Sequence, residues 1–212
     1  MLKKTLSILF VFFLCFPLQA QDEEPKKEFD KFFFVLRGGV NSHSISGDET
    51  QSDLGRAYGY ISQFQFNKTF GFDLSGELID FGSKEMWNDN GQEITSRVRL
   101  KYIMQSIGAN IYFSKYVNIR IGGYGAIIPS DDDIFNTTKH IEITTNADTV
   151  RYEAPDYKDL DFGGYLECHL YALRWLGISV RYTHGMHNIY QGTDNTINYK
   201  NRGLALFLNL RI

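Results

Sequence analysis

The sequence predicts an all-β protein: an eight-stranded antiparallel up-and-down transmembrane β-barrel, preceded by a short lead-in and a cleaved leader. Three observations predict it. Eight segments alternate apolar and polar residues with period two over about ten residues or more, the length a membrane-crossing strand needs (~9–11) rather than the five or six of an ordinary strand. The connectors between them alternate short and long. The last segment keeps five aliphatic side chains, Leu204, Leu206, Leu208, Leu210 and Ile212, on one face to its final residue. Composition agrees: aromatics make up 15% of the 212 residues, with 19 Gly against four Pro, which suits strands better than helices.

The N-terminus reads as a secretory signal peptide over residues 1–20. Lys3 and Lys4 precede an apolar run from Leu6 to Leu18, and Ala20 offers a small residue for cleavage. Residues 21–31 form a charged lead-in, and 32–212 the barrel domain. Once the leader is removed Cys168 is the one cysteine left, so no internal disulfide is expected.

In the first segment, Phe32 to Ser44, Phe32, Phe34, Leu36, Gly38 and Val40 oppose Arg37, Asn41 and His43. The second, Tyr58 to Asn67, sets Tyr58, Tyr60, Phe64 and Phe66 against Gln63, Gln65 and Asn67. In the third, Phe70 to about Gly82, Phe70, Phe72, Leu74 and Leu78 oppose Asp73, Ser75 and Glu77. The fourth, Val98 to Phe113, puts Val98, Leu100, Tyr102 and Met104 opposite Arg97, Arg99, Lys101 and Gln105. Its phase then slips, Ile107, Ala109, Ile111 and Phe113 becoming the apolar row, and a β-bulge is expected near Gln105 to Gly108. The fifth, Val117 to Ile128, sets Val117, Ile119, Ile121 and Ile127 against Asn118, Arg120 and Tyr124. The sixth, Leu160 to Tyr171, sets Leu160, Phe162, Leu166, Cys168 and Leu170 against Asp161, Glu167 and His169. The seventh, Leu176 to about Met186, sets Leu176, Ile178, Val180 and Tyr182 against Ser179, Arg181 and Thr183. The eighth is the C-terminal segment.

Short connectors at 68–69, 114–116 and 172–174 alternate with long polar ones, the longest from about Pro129 to Asp159. Up-and-down strands put every second connector at the same rim, so one rim carries the long loops and the other the short turns, as in outer-membrane barrels. An open edge cannot survive in hydrocarbon, so the eighth segment must pair with the first.

The apolar face then meets lipid and the polar face an enclosed lumen. Tyr58, Tyr60, Tyr102 and Tyr182 stand on apolar faces toward segment ends, where interfacial girdles belong. Eight strands leave an interior just wide enough for side chains to fill, and charges there must pair. The expected lumenal polar network is Arg37, Asp73, Glu77, Lys101, Arg120, Asp161, Glu167, Arg181 and Arg211; the expected lipid-facing row is Leu204 to Ile212. A soluble exported lipocalin-like carrier would need the faces reversed.

No motif calls for a cofactor. His184 and His187 stand three apart, so on a strand they point to opposite faces and read as rim histidines rather than a metal pair. Asp131 to Asp133 lacks the spacing of a calcium loop and reads as a solvated charge run. No nucleophile elbow is present, so no enzyme is expected. A net charge of −3 does not point to nucleic acid.

The segments FVLRGGVNSH, LSGELIDFGSK, LKYIMQSIGANIYFSKYVNIRIGGYGAII, LDFGGYLECHL, SVRYTHGMHNI and KNRGLALFLNLRI resemble the PorT-like outer-membrane β-barrel domain family of diderm bacteria, over about Phe32 to Ile212. Where that family often has Pro in the middle of the fourth segment this chain has Ser106-Ile107, and where such barrels often end in an aromatic it ends in Ile212. The resemblance implies the outer membrane; export by way of the leader, with outer-membrane lipid and, during insertion, the barrel-assembly machinery as partners, is expected with it. The expected role is structural or interactive through the outer loops. A narrow pore, or an accessory part of a secretion machine as for some members, is the alternative.

Overall fold

The computed structural model describes residues 32–45, 51–89, 92–129, 139–145, 148–153, 158–189 and 200–212. The leader, the lead-in and the run Asp131 to Asp133 lie outside them. Among the described residues ten strands form: β1 (Phe32–Ile45), β2 (Gln51–Gln65), β3 (Phe70–Asp89), β4 (Gln92–Tyr112), β5 (Val117–Ile127), β6 (Lys139–Thr144), β7 (Thr149–Glu153), β8 (Leu160–Tyr171), β9 (Leu176–Gly185) and β10 (Asn201–Arg211). All neighbours are antiparallel, and eight of the strands close a ring in the order β1-β2-β3-β4-β5-β8-β9-β10. The ring is sealed by β10 against β1, running from Val35 opposite Arg211 to Ile45 opposite Asn201. β6 and β7 make a hairpin that continues the sheet beside the upper end of β4, where β5 has ended.

The short turns gather at one rim, and those at 68–69 and 114–116 are held by their own side chains. Asn67 Oδ1 accepts the amides of Thr69 and Phe70 at 2.8 Å each. Ser114 Oγ accepts those of Tyr116 and Val117 at 3.1 Å each. A short side-chain acceptor that satisfies turn amides is what makes such tight reversals available.

At the other rim the structure corrects the expected loop lengths. β2 starts at Gln51, seven residues before the expected Tyr58. β3 and β4 run on as a paired hairpin up to Asp89 opposite Gln92, through most of the stretch taken for a loop. Polar strand extensions standing in water carry no lipid-type alternation, so they read as loop. β6 and β7 lie inside the expected 129–159 loop for the same reason.

The bulge expected in β4 is not there. β4 keeps an unbroken register with β3 and with β5 through Gln105 to Gly108. What changes along β4 is the surroundings. Leu100, Tyr102 and Met104 all point inward and are about 1% exposed or less; Ile107, Ala109 and Ile111 point outward on the opposite parity. The apolar face is the inner one above and the outer one below, so a change of solvent imitates a slip of phase. The irregularity is in β2, where five steps from Ser52 to Ala57 face four from Ser83 to Ile79; the extra residue is a β-bulge at the upper rim.

The outer surface carries an apolar belt, interrupted on β4 by the exposed Gln105. Leu204, Leu206, Leu208 and Leu210 are 40–58% exposed, and Leu36, Leu74, Ile107, Ile121, Leu166 and Val180 match them around the ring. Tyr58, Tyr60 and Tyr182 are also outside, whereas Tyr102, expected with them, is buried in the upper interior. At the lower rim Phe64 stacks on Phe72 with centroids 4.7 Å apart, and Phe32 tilts against Phe64 at 5.0 Å. A belt of this extent on a monomer's surface belongs against hydrocarbon rather than water.

Candidate functional site: the closed lumen and its outer rim

The lumen is filled in two layers. The central one is built by strand register. Glu167 on β8 stands directly opposite Arg120 on β5 and Arg181 on β9, so one carboxylate lies between two guanidiniums. Across the barrel, Arg37 and Glu77 both pair with Gly59 of β2. A Cβ on Gly59 would come 2.8 Å from Glu77 Cγ, so the glycine is the space through which that carboxylate reaches the arginine.

The contacts are short and dense. Arg37 donates to Glu167 Oε1 at 2.8 Å and to Glu77 Oε2 at 2.9 Å. Arg181 donates to both Glu77 oxygens, at 2.8 and 3.0 Å, and to Glu167 at 2.9 Å. Arg120 donates to Glu167 at 2.7 Å and forks onto Asp73, its Nε reaching Oδ2 at 2.9 Å and its Nη2 reaching Oδ1. Asn110 adds a donor to Asp73 at 2.6 Å, and His169 Nε2 lies 3.0 Å from Glu167. Three arginines thus meet three carboxylates, and the side chains of Arg37, Arg120, Arg181, Glu77, Glu167 and Asp73 have no exposed area. Arg37 also lies over the Phe207 ring, 3.6 Å from its centroid. Charges this deep are tolerated because the terminal nitrogens of all three guanidiniums meet carboxylates.

Above this layer sits an apolar plug around Ile79, Phe81, Leu100, Tyr102, Met104 and Phe207. His43 faces Phe81 with ring centroids 4.2 Å apart and holds Asn41 at 2.8 Å.

Three residues of the expected network stand elsewhere. Asp161 is buried near the upper rim, accepting from Tyr124 at 3.1 Å and Asn201 at 2.8 Å. Arg211 lies at the lower rim between the rings of Tyr171 and Phe33, 4.0 and 4.3 Å from their centroids. Lys101 is a correction: it projects from the outer face of β4, because Leu100 and Tyr102 on either side of it are the buried residues. Reading its face as lumenal carried the lower strand's solvent assignment into water. The sequence reading did not include Asn110, Phe207 or Tyr165, whose hydroxyl accepts from Arg120 at 3.2 Å, in the network. Tyr165 shares its parity with Asp161 and Glu167 and could have been found; Asn110 was hidden by the expected bulge.

His184 lies beside Tyr182, whose hydroxyl is 3.4 Å from its Nδ1, and His187 stacks on Phe162. Among the described residues no group of three or more His, Cys, Asp or Glu is placed to hold a metal ion, and no helix is long and apolar enough to cross a membrane.

Comparison with known proteins adds the family. A family model described as an outer membrane protein beta-barrel domain matches residues 19–191. No curated protein matches. Among solved structures, Ail of Yersinia pestis, in complex with the heparin analogue sucrose octasulfate, aligns with a TM-score of 0.48 at 11% identity over 86% of this chain and 99% of that one. Neisserial surface protein A aligns at 0.44 with 10% identity over 86% and 98%, and OprG of Pseudomonas aeruginosa at 0.34 with 9% identity over 86% and 96%.

Proposed function

The chain belongs to the outer membrane protein beta-barrel domain family and resides in the outer membrane, and from that premise we propose that it is a closed barrel whose work is done at its outer rim, as a platform for interaction rather than as a conduit. The observation that carries this reading is the lumen itself. A balanced set of six charges fills its middle and an apolar plug fills its upper half. A pore needs a wetted path lined by groups that bind weakly enough to release a solute; here the central arginines and carboxylates are spent on one another.

The rim opposite the short turns is where the chain invests its extra structure. The upper β3–β4 hairpin and the β6–β7 hairpin extend one sheet beyond the barrel wall. We take this rim as the extracellular one. Its occupant is an external ligand or protein partner. Insertion would follow cleavage of the leader at residues 1–20 and delivery to the barrel-assembly machinery.

The strand motifs support a finer place among PorT-like barrels. In that case the platform would dock on a secretion machine, the role the family's resemblance suggests. The filled lumen favours docking over conduction within such a machine as well.

Two measurements test the proposal. Refolded protein in planar bilayers is expected to show no single-channel steps; steady unitary conductance would overturn it. Crosslinking on intact cells, followed by purification, is expected to capture partners that are lost when residues 85–96 are replaced by a two-residue turn. Capture that survives the trimming would move the platform elsewhere.

A further inference from the structure

Each strand of the ring has two neighbours, but the sheet that rises above it stops. It runs from β4 to β6 to β7, and among the described residues β7 is bonded to β6 alone. Asp148, Thr149 and Val150, where β7 begins, are exposed.

The turn fixes which backbone groups of β7 look outward. Thr145 donates its amide to the Asp148 carbonyl at 2.9 Å, so these two form a hydrogen-bonded pair. Such pairs alternate with non-bonded ones along an antiparallel ladder. Val150 and Tyr152 therefore bond across to Ile143 and Ile141, while Thr149, Arg151 and Glu153 turn their backbone groups away from β6. The Thr149 amide is taken by the Asp148 carboxylate at 2.8 Å. That leaves the Thr149 carbonyl and both backbone groups of Arg151 and Glu153, and among the described residues none of these has a backbone partner. A row of unpaired donors and acceptors is a template for one more extended chain.

The upper sheet has a second edge, on β3 above Lys84, and that one is blunted. The β2 bulge between Ser52 and Ala57 lies directly below it, and Lys84 stands at its start; bulges and edge lysines both oppose strand addition. The β6–β7 register carries no such irregularity.

The cross-strand rows say what kind of chain would fit. On one face, register lines up Ser96, Ile143 and Val150, then Val98, Ile141 and Tyr152. On the other it lines up Arg97, Glu142 and Arg151, then Arg99, His140 and Glu153. Opposite charges across a pair are stabilising and like charges are not. The next strand outward is matched by an acid opposite Arg151, a base opposite Glu153 and an apolar residue between them, opposite Tyr152. A second copy meets this pattern poorly, since full overlap of two β7 strands sets Arg151 against Arg151.

We propose that the outer edge of β7 is a strand-addition site, taking an extended segment of a partner protein as the next strand of the upper sheet, with its acid set against Arg151 and its base against Glu153. The inference rests on the platform reading, and gives the platform's partner a chemistry and a place.

The test uses the full mature chain refolded in lipid nanodiscs, with amide hydrogen exchange followed residue by residue. The probe is a capped peptide with the sequence of β6, KHIEIT, which in the fold already sets Glu142 opposite Arg151 and His140 opposite Glu153. Without peptide, the amides of Arg151 and Glu153 are expected to exchange about tenfold faster than those of Val150 and Tyr152, as unpaired groups do. Equal protection of all four would overturn the proposal, because the edge would already be covered. With peptide at about 10 mM and an affinity of about 1 mM, exchange at Arg151 and Glu153 should slow about tenfold. No slowing would overturn the proposal. So would equal slowing by a fully N-methylated copy, which cannot donate to the ladder, or by a Glu142→Lys copy, which lacks the acid. Protection that grows with protein concentration in the absence of peptide would also overturn it, by assigning the edge to a second copy. Because only the peptide is varied, no outcome depends on refolding a variant. Single-channel steps in a barrel whose edge still takes the peptide would fail the platform reading alone; a silent barrel whose edge ignores the peptide would fail this inference alone.

Discussion

Glu167 shows what a buried charge costs and what repays it. Three guanidiniums and one imidazole converge on it. Replacing it with Gln leaves two donors of its own in a nest of donors and strips three arginines of a shared counter-charge. Breaking one side of a buried ionic set costs about 3–5 kcal/mol, and Glu167→Gln is expected to lose that much, read as urea unfolding of the refolded barrel in vesicles. Asp161 is buried as deeply, yet its acceptor oxygen takes only neutral donors from Tyr124 and Asn201. An amide oxygen can accept both, so Asp161→Asn should change stability by less than about 1 kcal/mol, whereas Asp161→Ala, which orphans two donors, should cost about 1–3 kcal/mol. If the two conservative exchanges proved equal in cost, the convergence of arginines would not be what makes Glu167 special.

Elements were legible wherever one solvent bathed the whole strand. β8 was read with both ends right, because from Leu160 to Tyr171 every outward residue meets the belt and every inward one the lumen. β4 was not, because its upper half stands in water on the outside while packing Leu100, Tyr102 and Met104 inside. Period two survives such a change, but the chemical meaning of each face inverts, and Lys101 and Tyr102 were therefore put on the wrong sides. The central network was readable for the same reason that β8 was: Arg37, Asp73, Glu77, Arg120, Glu167 and Arg181 all sit at belt height, where polar means inward. Its wiring was not, since register and the gap at Gly59 decide which charge meets which. The upper hairpins contribute little to the closed wall. Replacing residues 85–96 by a short turn is accordingly expected to leave the compact, heat-modifiable gel mobility of the folded barrel unchanged. The lower turns behave differently. Asn67→Ala removes the acceptor of two turn amides and should cost about 1 kcal/mol.

For the whole molecule, the argument is that one continuous sheet is solvated by three media, and that the boundaries between them are set by residue type at fixed heights. Hydrocarbon surrounds the belt, paired charges and apolar side chains stand in for solvent in the lumen, and water bathes the strand extensions. A charged side chain on the outside is then a depth gauge. Leu208 lies midway along the outward row of β10 and is 58% exposed; Leu204 is at its upper end, next to Arg202. An outward arginine costs about 2–4 kcal/mol at the middle of a bilayer and about 0–1 kcal/mol near its surface. Leu208→Arg should therefore destabilise the refolded barrel by the larger amount and Leu204→Arg by the smaller, with Ile107→Arg on β4 following Leu208→Arg. Equal small costs at all three positions in vesicles would mean that the row is bathed in water. The apolar belt would then need another explanation, and the reversal of faces along β4 would lose its cause.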